Sequence, residues 1–198
     1  RRPTGVGRSI LELVQAMAQQ DRGLDFLLLA TEPDLFPWVK DVPHWQVKHC
    51  PGARGGTLRK ALFTQWQVPR ICRSQKASIL HSLQFVAPLR LPCRSVVTVH
   101  DLAYLGFPGT VEEPRNSYYR FFVPRTMKKA AAIVTNSQAT AEDTVRFFPE
   151  VGGKIWPTLF GTPSWVWNME SGEPQRESSR PFFLFVGTLE PRKNLEKL

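Results

Sequence analysis

Nowhere does the sequence sustain an apolar run as long as a membrane span requires. The opening stretch RRPTGVGRSILEL passes from a basic start into an amphipathic pattern broken by Glu12, so it reads neither as a spanning helix nor as a signal peptide. Cysteine is scarce. Cys50, Cys72 and Cys93 are odd in number and lack CxxC or histidine-paired spacing, which leaves a disulfide framework and a zinc site without support and points to buried thiols in a reducing, cytoplasmic setting. Acidic residues are also few: 17 Asp and Glu face 26 Lys and Arg, for a net charge of +9 and an isoelectric point near 9.9. That surplus favours anionic partners, whether nucleic acid, a phospholipid headgroup layer or phosphorylated small molecules, without choosing among them. No internal repeat, heptad or low-complexity tract is present. The chain does not open on methionine and closes just after a helix start, so a segment is expected beyond each end.

What remains is the composition of a globular protein, 42% hydrophobic and 22% charged over 198 residues, enough for one full domain and part of another. Ile10, Leu13, Val14, Met17 and Ala18 recur at helical spacing. DFLLLA, WQVKHC, ASILHS, SVVTVH and AAIVTNS are short, apolar and bounded by turn formers, as buried strands are. TLRKALFTQW reads as a helix that Pro69 bends or ends. A second helix carries Tyr119, Phe122, Val123, Met127 and Ala130 on one face, and Ser137 is placed to cap a third. Alternating helices and strands predict an α/β fold: a Rossmann-like parallel sheet covered on both faces, with binding at the carboxyl ends of the strands. Residues 1–160 read as this domain. Residues 161–180, rich in Ser, Pro, Gly and Glu, read as a linker, and PFFLFVG within 181–198 as the first strand of a second domain.

Four constellations are candidates for chemistry. Gly5 and Gly7 stand directly ahead of an amphipathic helix, where backbone N–H groups can approach a phosphate, although the third glycine of a dinucleotide fingerprint and the lysine of a P-loop are lacking. A phosphate cradle and an ordinary turn are both open on these residues alone. His100 and Asp101 follow the run VVTV, where a strand end offers a ligand site, while a hydrogen-bonded structural histidine is the competing reading. His81 also sits at a strand end and is read as structural. In FLFVGTLEPRKNL, Arg192 and Lys193 follow an apolar strand at a helix start. Arg can clamp two oxygens of a diphosphate and Lys can add a mobile charge, against the alternative of a solvated basic helix start.

Together these segments resemble the retaining family 4 glycosyltransferases, enzymes of the GT-B fold with two Rossmann-like domains facing across a cleft. TGVGR resembles that family's glycine loop, ILHSLQFVAP with SVVTVHDLAYLGFP its paired central strands, and AAAIVTNSQATAEDTVRFF with KIWPTLFGTP the close of its first domain. FLFVGTLEPRKNLEKL resembles the start of its second. The polysaccharide mannosyltransferase branch is the one most resembled. The resemblance implies transfer of a mannose-like hexose from a GDP- or UDP-sugar to a polysaccharide or lipid-linked glycan, with retention of configuration. It implies that Gly7 and Gly5 let the loop approach the donor's diphosphate or the acceptor, that His100 lies beside the donor sugar, and that Arg192 and Lys193 hold the departing diphosphate. Asp101 would orient or close a turn rather than act as a base. Neither a metal nor a cofactor is expected, since fixed cations and helix dipoles take the metal's role.

The chain departs from the family's pattern in three ways. The pair of glutamates that the family places in its second domain lies beyond Leu198. The first strand of the first domain would precede Arg1, and PTLFGTP keeps only part of the linker-entry pattern. A cytoplasmic enzyme resting on the inner, anionic face of a membrane is expected, with no nucleic-acid partner. The competing class is a basic, non-catalytic Rossmann-like module that docks on nucleic acid or membrane through RNSYYRFFVPRTMKK, a run equally readable as an amphipathic helix with its aromatic residues in the core. A sugar-binding phosphorylase would need a phosphate or pyridoxal-phosphate site that no segment identifies.

Overall fold

Five of the apolar runs form strands where the sequence places them. The structure, a computed structural model, describes residues 5–20, 23–106, 109, 111–162, 166, 182–187 and 194–197. The runs become β1 (Phe26–Ala30), β2 (Trp45–His49), β3 (Ile79–Ser82), β4 (Arg94–Val99) and β5 (Ala132–Thr135). A sixth strand, β6 (Ile155–Pro157), is three residues long, too short to show a periodicity in sequence. Strands β1 and β2 pair in parallel as a two-stranded sheet, and β3-β4-β5-β6 form a second, all-parallel sheet in that order. Helices α1 (Gly5–Ala18), α2 (Thr57–Leu62), α3 (Val68–Ser74), α4 (Ala103–Gly106), α5 (Arg115–Lys129) and α6 (Gln138–Phe147) connect and cover them. Parallel sheets with helices on both faces give the Rossmann-like α/β arrangement expected.

The alternation within β4 shows how the layers are built. Val97 and Val99 are fully buried and meet Ile133 of β5 and Val123 and Met127 of α5, which form one continuous core with Phe148 and Val151. Burying side chains of this size removes about 1.5–3 kcal/mol each from exposure to water. Under the smaller sheet, Ile10, Val14 and Met17 of α1 pack against Phe26, Leu28, Trp45 and Val47, and Leu83, just past β3, joins the same cluster. The aromatic residues of α5 follow the core reading of that helix: Tyr118, Tyr119 and Phe122 are half-buried, and Phe121 is the exposed one, with the Arg125 guanidinium 3.9 Å from its ring centre. Ser137 caps α6 by accepting from the Thr140 N–H at 3.1 Å. The three thiols are free. That of Cys72 is pushed up to about 11 by burial and by Cys93 beside it.

Two expectations change. Pro69 does not end the helix over TLRKALFTQW, which runs on from α2 through a π turn at Phe63–Gln67 into α3. The wider turn just ahead of the proline absorbs its missing N–H and its ring, which a regular α-turn would drive into the carbonyl four residues back. Residues 182–186, read as a strand, form none, and Phe183 and Val186 are 92% and 85% exposed. A parallel strand needs neighbours, and none of the six described strands pairs with this segment. The linker expected over 161–180 lies almost wholly outside the described residues.

Side chains from two helices staple the segment that follows β3, which has no ladder to satisfy its backbone. The buried Thr126 hydroxyl donates to the Ala87 carbonyl at 3.2 Å and lies 3.3 Å from the Ala87 N–H, which it accepts. Gln65 Oε1 accepts from Leu89 N–H at 2.9 Å, and Lys129 Nζ donates to the Leu89 carbonyl at 2.8 Å. Thr126→Val keeps the volume and deletes the hydroxyl, leaving the Ala87 N–H unpaired. It is expected to cost about 1–3 kcal/mol, read as a lower urea midpoint at unchanged slope.

Candidate functional site

Register places Val99, Thr135 and Pro157 in one row across β4, β5 and β6, so His100, Asn136 and Thr158 emerge together at the carboxyl edge of the sheet. His100 is half-buried there. Its Nε2 is 3.0 Å from the Leu83 carbonyl oxygen. A carbonyl only accepts, so Nε2 carries the proton, and in the neutral ring Nδ1 is left as an acceptor. That Nδ1 is buried and has no hydrogen-bond partner among the described residues. An unmet buried acceptor costs about 1–3 kcal/mol, and a ligand hydroxyl would satisfy it. The Phe160 ring lies alongside, its centre 6.3 Å from that of the imidazole and tilted by 22°.

The backbone of His100 is held from the neighbouring strand. Thr140, in the first turn of α6, places its hydroxyl 3.3 Å from the His100 carbonyl, 3.1 Å from Asn136 Oδ1 and 2.9 Å from Ser137 Oγ. The Thr140 hydroxyl proton is shared between the His100 carbonyl and Asn136 Oδ1, and either hydroxyl can donate between Thr140 and Ser137, so the cap of α6 and the end of β4 form one polar junction. Asp101 is exposed, and its Oδ1 accepts from the Ala103 N–H at 3.1 Å, closing the turn into α4. Tyr104 follows in α4, buried against Phe85 and Tyr119, with its hydroxyl unpartnered among the described residues and its ionisation held above the ordinary range by burial. Both orphaned buried polar atoms therefore fall within the five residues from His100 to Tyr104. Neither the Leu83 carbonyl, nor Thr140, nor Tyr104 is apparent from sequence alone. The spacing from Ser137 to Thr140 signals a cap, but its reach to His100 spans 40 residues.

The glycine pair sits differently from its sequence reading. Gly5 and Gly7 both lie within α1, the described part of which runs from Gly5, rather than in a turn ahead of it. A side chain at Gly5 would meet nothing within 4 Å, so local packing does not demand glycine there. A short connection returns the chain from the end of α1 to the start of β1, and α1 packs along that strand. The apolar face of α1 thus lies against β1 and β2. His81 lies within the sheet, its Nε2 2.9 Å from Thr98 Oγ1. Arg192 and Lys193 lie outside the described residues. Among the described residues no cluster of His, Cys, Asp or Glu has the arrangement of a metal site, and no helix is long and apolar enough to cross a membrane.

A model of Glycosyltransferase Family 4 matches residues 3–157, which include both sheets and every strand end described above. The chain belongs to glycosyltransferase family 4. The O-antigen chain mannosyltransferase B of Escherichia coli is 25% identical over 214 residues, an alignment that takes in 98% of this chain and 55% of the relative. The chain thus spans about half the length of the curated relative it matches, and within the family it resembles the mannosyltransferase branch.

In this family 4 chain His100 and His81 are in different states of satisfaction, and His81 is the one with a measurable signature. Burial lowers its pKa below the ordinary 6.5, so the folded chain holds it neutral and the unfolded chain takes up its proton first as pH falls. Its contribution is complete above the unfolded value and is lost as pH falls through about 6.5 towards the lower folded value. Urea titrations between about pH 7 and about pH 5 should show stability falling with pH in the parent, and falling less steeply in His81→Gln.

Proposed function

We propose that the chain forms the acceptor-side half of an enzyme that moves a mannose-like hexose from a GDP- or UDP-sugar to a polysaccharide or lipid-linked glycan, with retention of configuration. Family membership and the activity named for the Escherichia coli relative support the class of reaction. The observation that carries the site is the orphaned Nδ1 of His100 at the carboxyl edge of the sheet. Leu83 fixes the tautomer, so the ring offers an acceptor to a sugar hydroxyl rather than a proton to a leaving group.

The departing group is a nucleoside diphosphate whose charge grows as the bond to the sugar breaks. Arg192 and Lys193 are assigned to hold it, and Gly5 and Gly7, within α1, to let the backbone approach it. Cations that meet a growing charge favour the transition state over the ground state. Asp101 is assigned the orienting role its bond to Ala103 supports. We assign residues 1–160 to the acceptor-side domain, 161–180 to a linker and 181–198 to the start of the donor-binding domain. The open inner edges of β1 and β3, with Leu83 packed in the α1 cluster, are assigned to a further parallel strand that joins the two sheets. The enzyme works in the cytoplasm, peripheral to the inner face of the membrane that carries its acceptor.

In a polypeptide carrying both domains, His100→Ala should reduce turnover by roughly tenfold or more while weakening free nucleoside diphosphate much less, because that product has no sugar. Equal losses, or a collapse of thermal stability, would return His100 to a structural role. Neutralising Arg192 or Lys193 should remove about 1.5–3 kcal/mol of transition-state stabilisation, roughly ten- to a hundred-fold in rate. Arg192→Lys should rescue only in part, because an ammonium lacks the planar fork. Unchanged turnover in these variants would dissociate the pair from the diphosphate.

A further inference from the structure

The net charge of the chain is not spread over it. From residue 42 to residue 100 there are nine Lys and Arg and no Asp or Glu, so this segment holds the entire +9 and the remainder is neutral. Its most prominent element is the helical rod of α2, the π turn and α3. Arg59, Lys60, Arg70 and Arg73 stand exposed on that rod, and Lys76 just past it. Of the nine cations only Arg54 is ion-paired among the described residues, with Glu32 at 2.8 Å.

The same rod turns apolar side chains to solvent. Val68 and Cys72 face the core, whereas Leu58, Leu62 and Trp66 recur every fourth residue and are 72%, 53% and 60% exposed. Leu62 and Trp66 line a shallow cleft of about 370 Å³ with Arg59, Phe63, Gln67 and Gly52. Arg70 stands one turn beyond, its guanidinium 5.9 Å from the Trp66 ring centre and donating to the Trp66 carbonyl at 3.3 Å. An exposed stripe of two leucines and a tryptophan is more than the scattered apolar residue any surface carries.

We infer that this rod is the surface on which the chain docks to an anionic phospholipid bilayer, with Leu58, Leu62 and Trp66 entering the headgroup and acyl boundary. The inference assigns an element to the membrane contact proposed above and rests on that part of the reading. Two features select the occupant. A protein groove would match the apolar stripe and a polyanion would match the cations, but an anionic lipid surface meets both at once, hydrocarbon beneath and phosphate beside. Arginine and lysine stems lie along apolar surface while their heads reach the phosphates, and a tryptophan beside an arginine suits the depth where water gives way to hydrocarbon. No acidic side chain lies on the rod to repel the headgroups.

The test is sedimentation of the 198-residue chain with vesicles of phosphatidylglycerol and phosphatidylethanolamine, and with phosphatidylcholine alone, at low ionic strength. Binding to the anionic vesicles is expected to be at least roughly tenfold stronger and to weaken with salt. Leu58→Gln with Leu62→Gln should lower it by roughly tenfold while leaving the thermal midpoint in place, since both side chains are already exposed. Arg59→Gln with Lys60→Gln should erase most of the preference for anionic lipid. Quenching of tryptophan emission by brominated lipid should fall in Trp66→Phe. Absence of binding to anionic vesicles, or binding that none of these substitutions changes, would overturn the inference. So would concentration-dependent self-association abolished by the leucine pair, which would make the stripe a contact between copies. Glycosyl transfer is not read in this experiment, so a failure here leaves the transfer reaction standing, and a failed transfer assay leaves the docking surface standing.

Discussion

The parallel pairing of β4 with β3 on one side and β5 on the other is the constraint on which the rest depends. A strand paired in parallel on both edges has both faces to cover, and β4 meets this with Val97 and Val99 on the face packed by α5. Parallel pairing also sends each chain segment out at the same edge, so residues far apart in sequence arrive there together. Leu83, His100, Asn136 and Thr158 are neighbours for that reason alone. Their positions are a consequence of register, and a slip of one residue in β4 would turn Val97 and Val99 away from the core and carry His100 off the Leu83 carbonyl.

From that register follows the protonation of the histidine. The Leu83 carbonyl exists as an acceptor because the chain leaves β3 without a further strand partner, and it is held in place by the staples from Gln65 and Thr126 to the residues that follow. Thr140 then fixes the other end of His100 through its carbonyl. The residue is constrained from two elements, and Nδ1, facing neither, is the nitrogen left without a partner among the described residues.

The strands were legible in sequence because fully buried parallel strands are near-continuous apolar runs, and DFLLLA and SVVTVH could hardly be anything else. Ser137 was legible because a cap is a local interaction. Pro69 was misleading, since the π turn that accommodates it depends on the packing of the whole rod and leaves no mark in TLRKALFTQW. The glycines of TGVGR were legible as belonging to a helix start but not as lying inside it, because one turn of a helix and the loop before it have the same residue preferences. His100 could be placed at a strand end, yet its tautomer could not, because the Leu83 carbonyl is 17 residues away and the Thr140 hydroxyl 40.

Charge in this chain is segregated in a way composition conceals. The strand ends that gather His100, Asn136, Ser137 and Thr158 carry no lysine or arginine of their own, whereas the rod from Thr57 to Ser74 carries four and no acid. Had the +9 been a general device for attracting anions to the site, the cations would line that edge. On the reading proposed above, a diphosphate at that edge takes its countercharge from Arg192 and Lys193. On the same reading, the two demands for an anion fall to separate surfaces: fixed, sparse charge where bonds are made and broken, and diffuse charge backed by leucine and tryptophan where a soft, extended surface is held. Such a separation lets either surface bind without competing for the other's ligand.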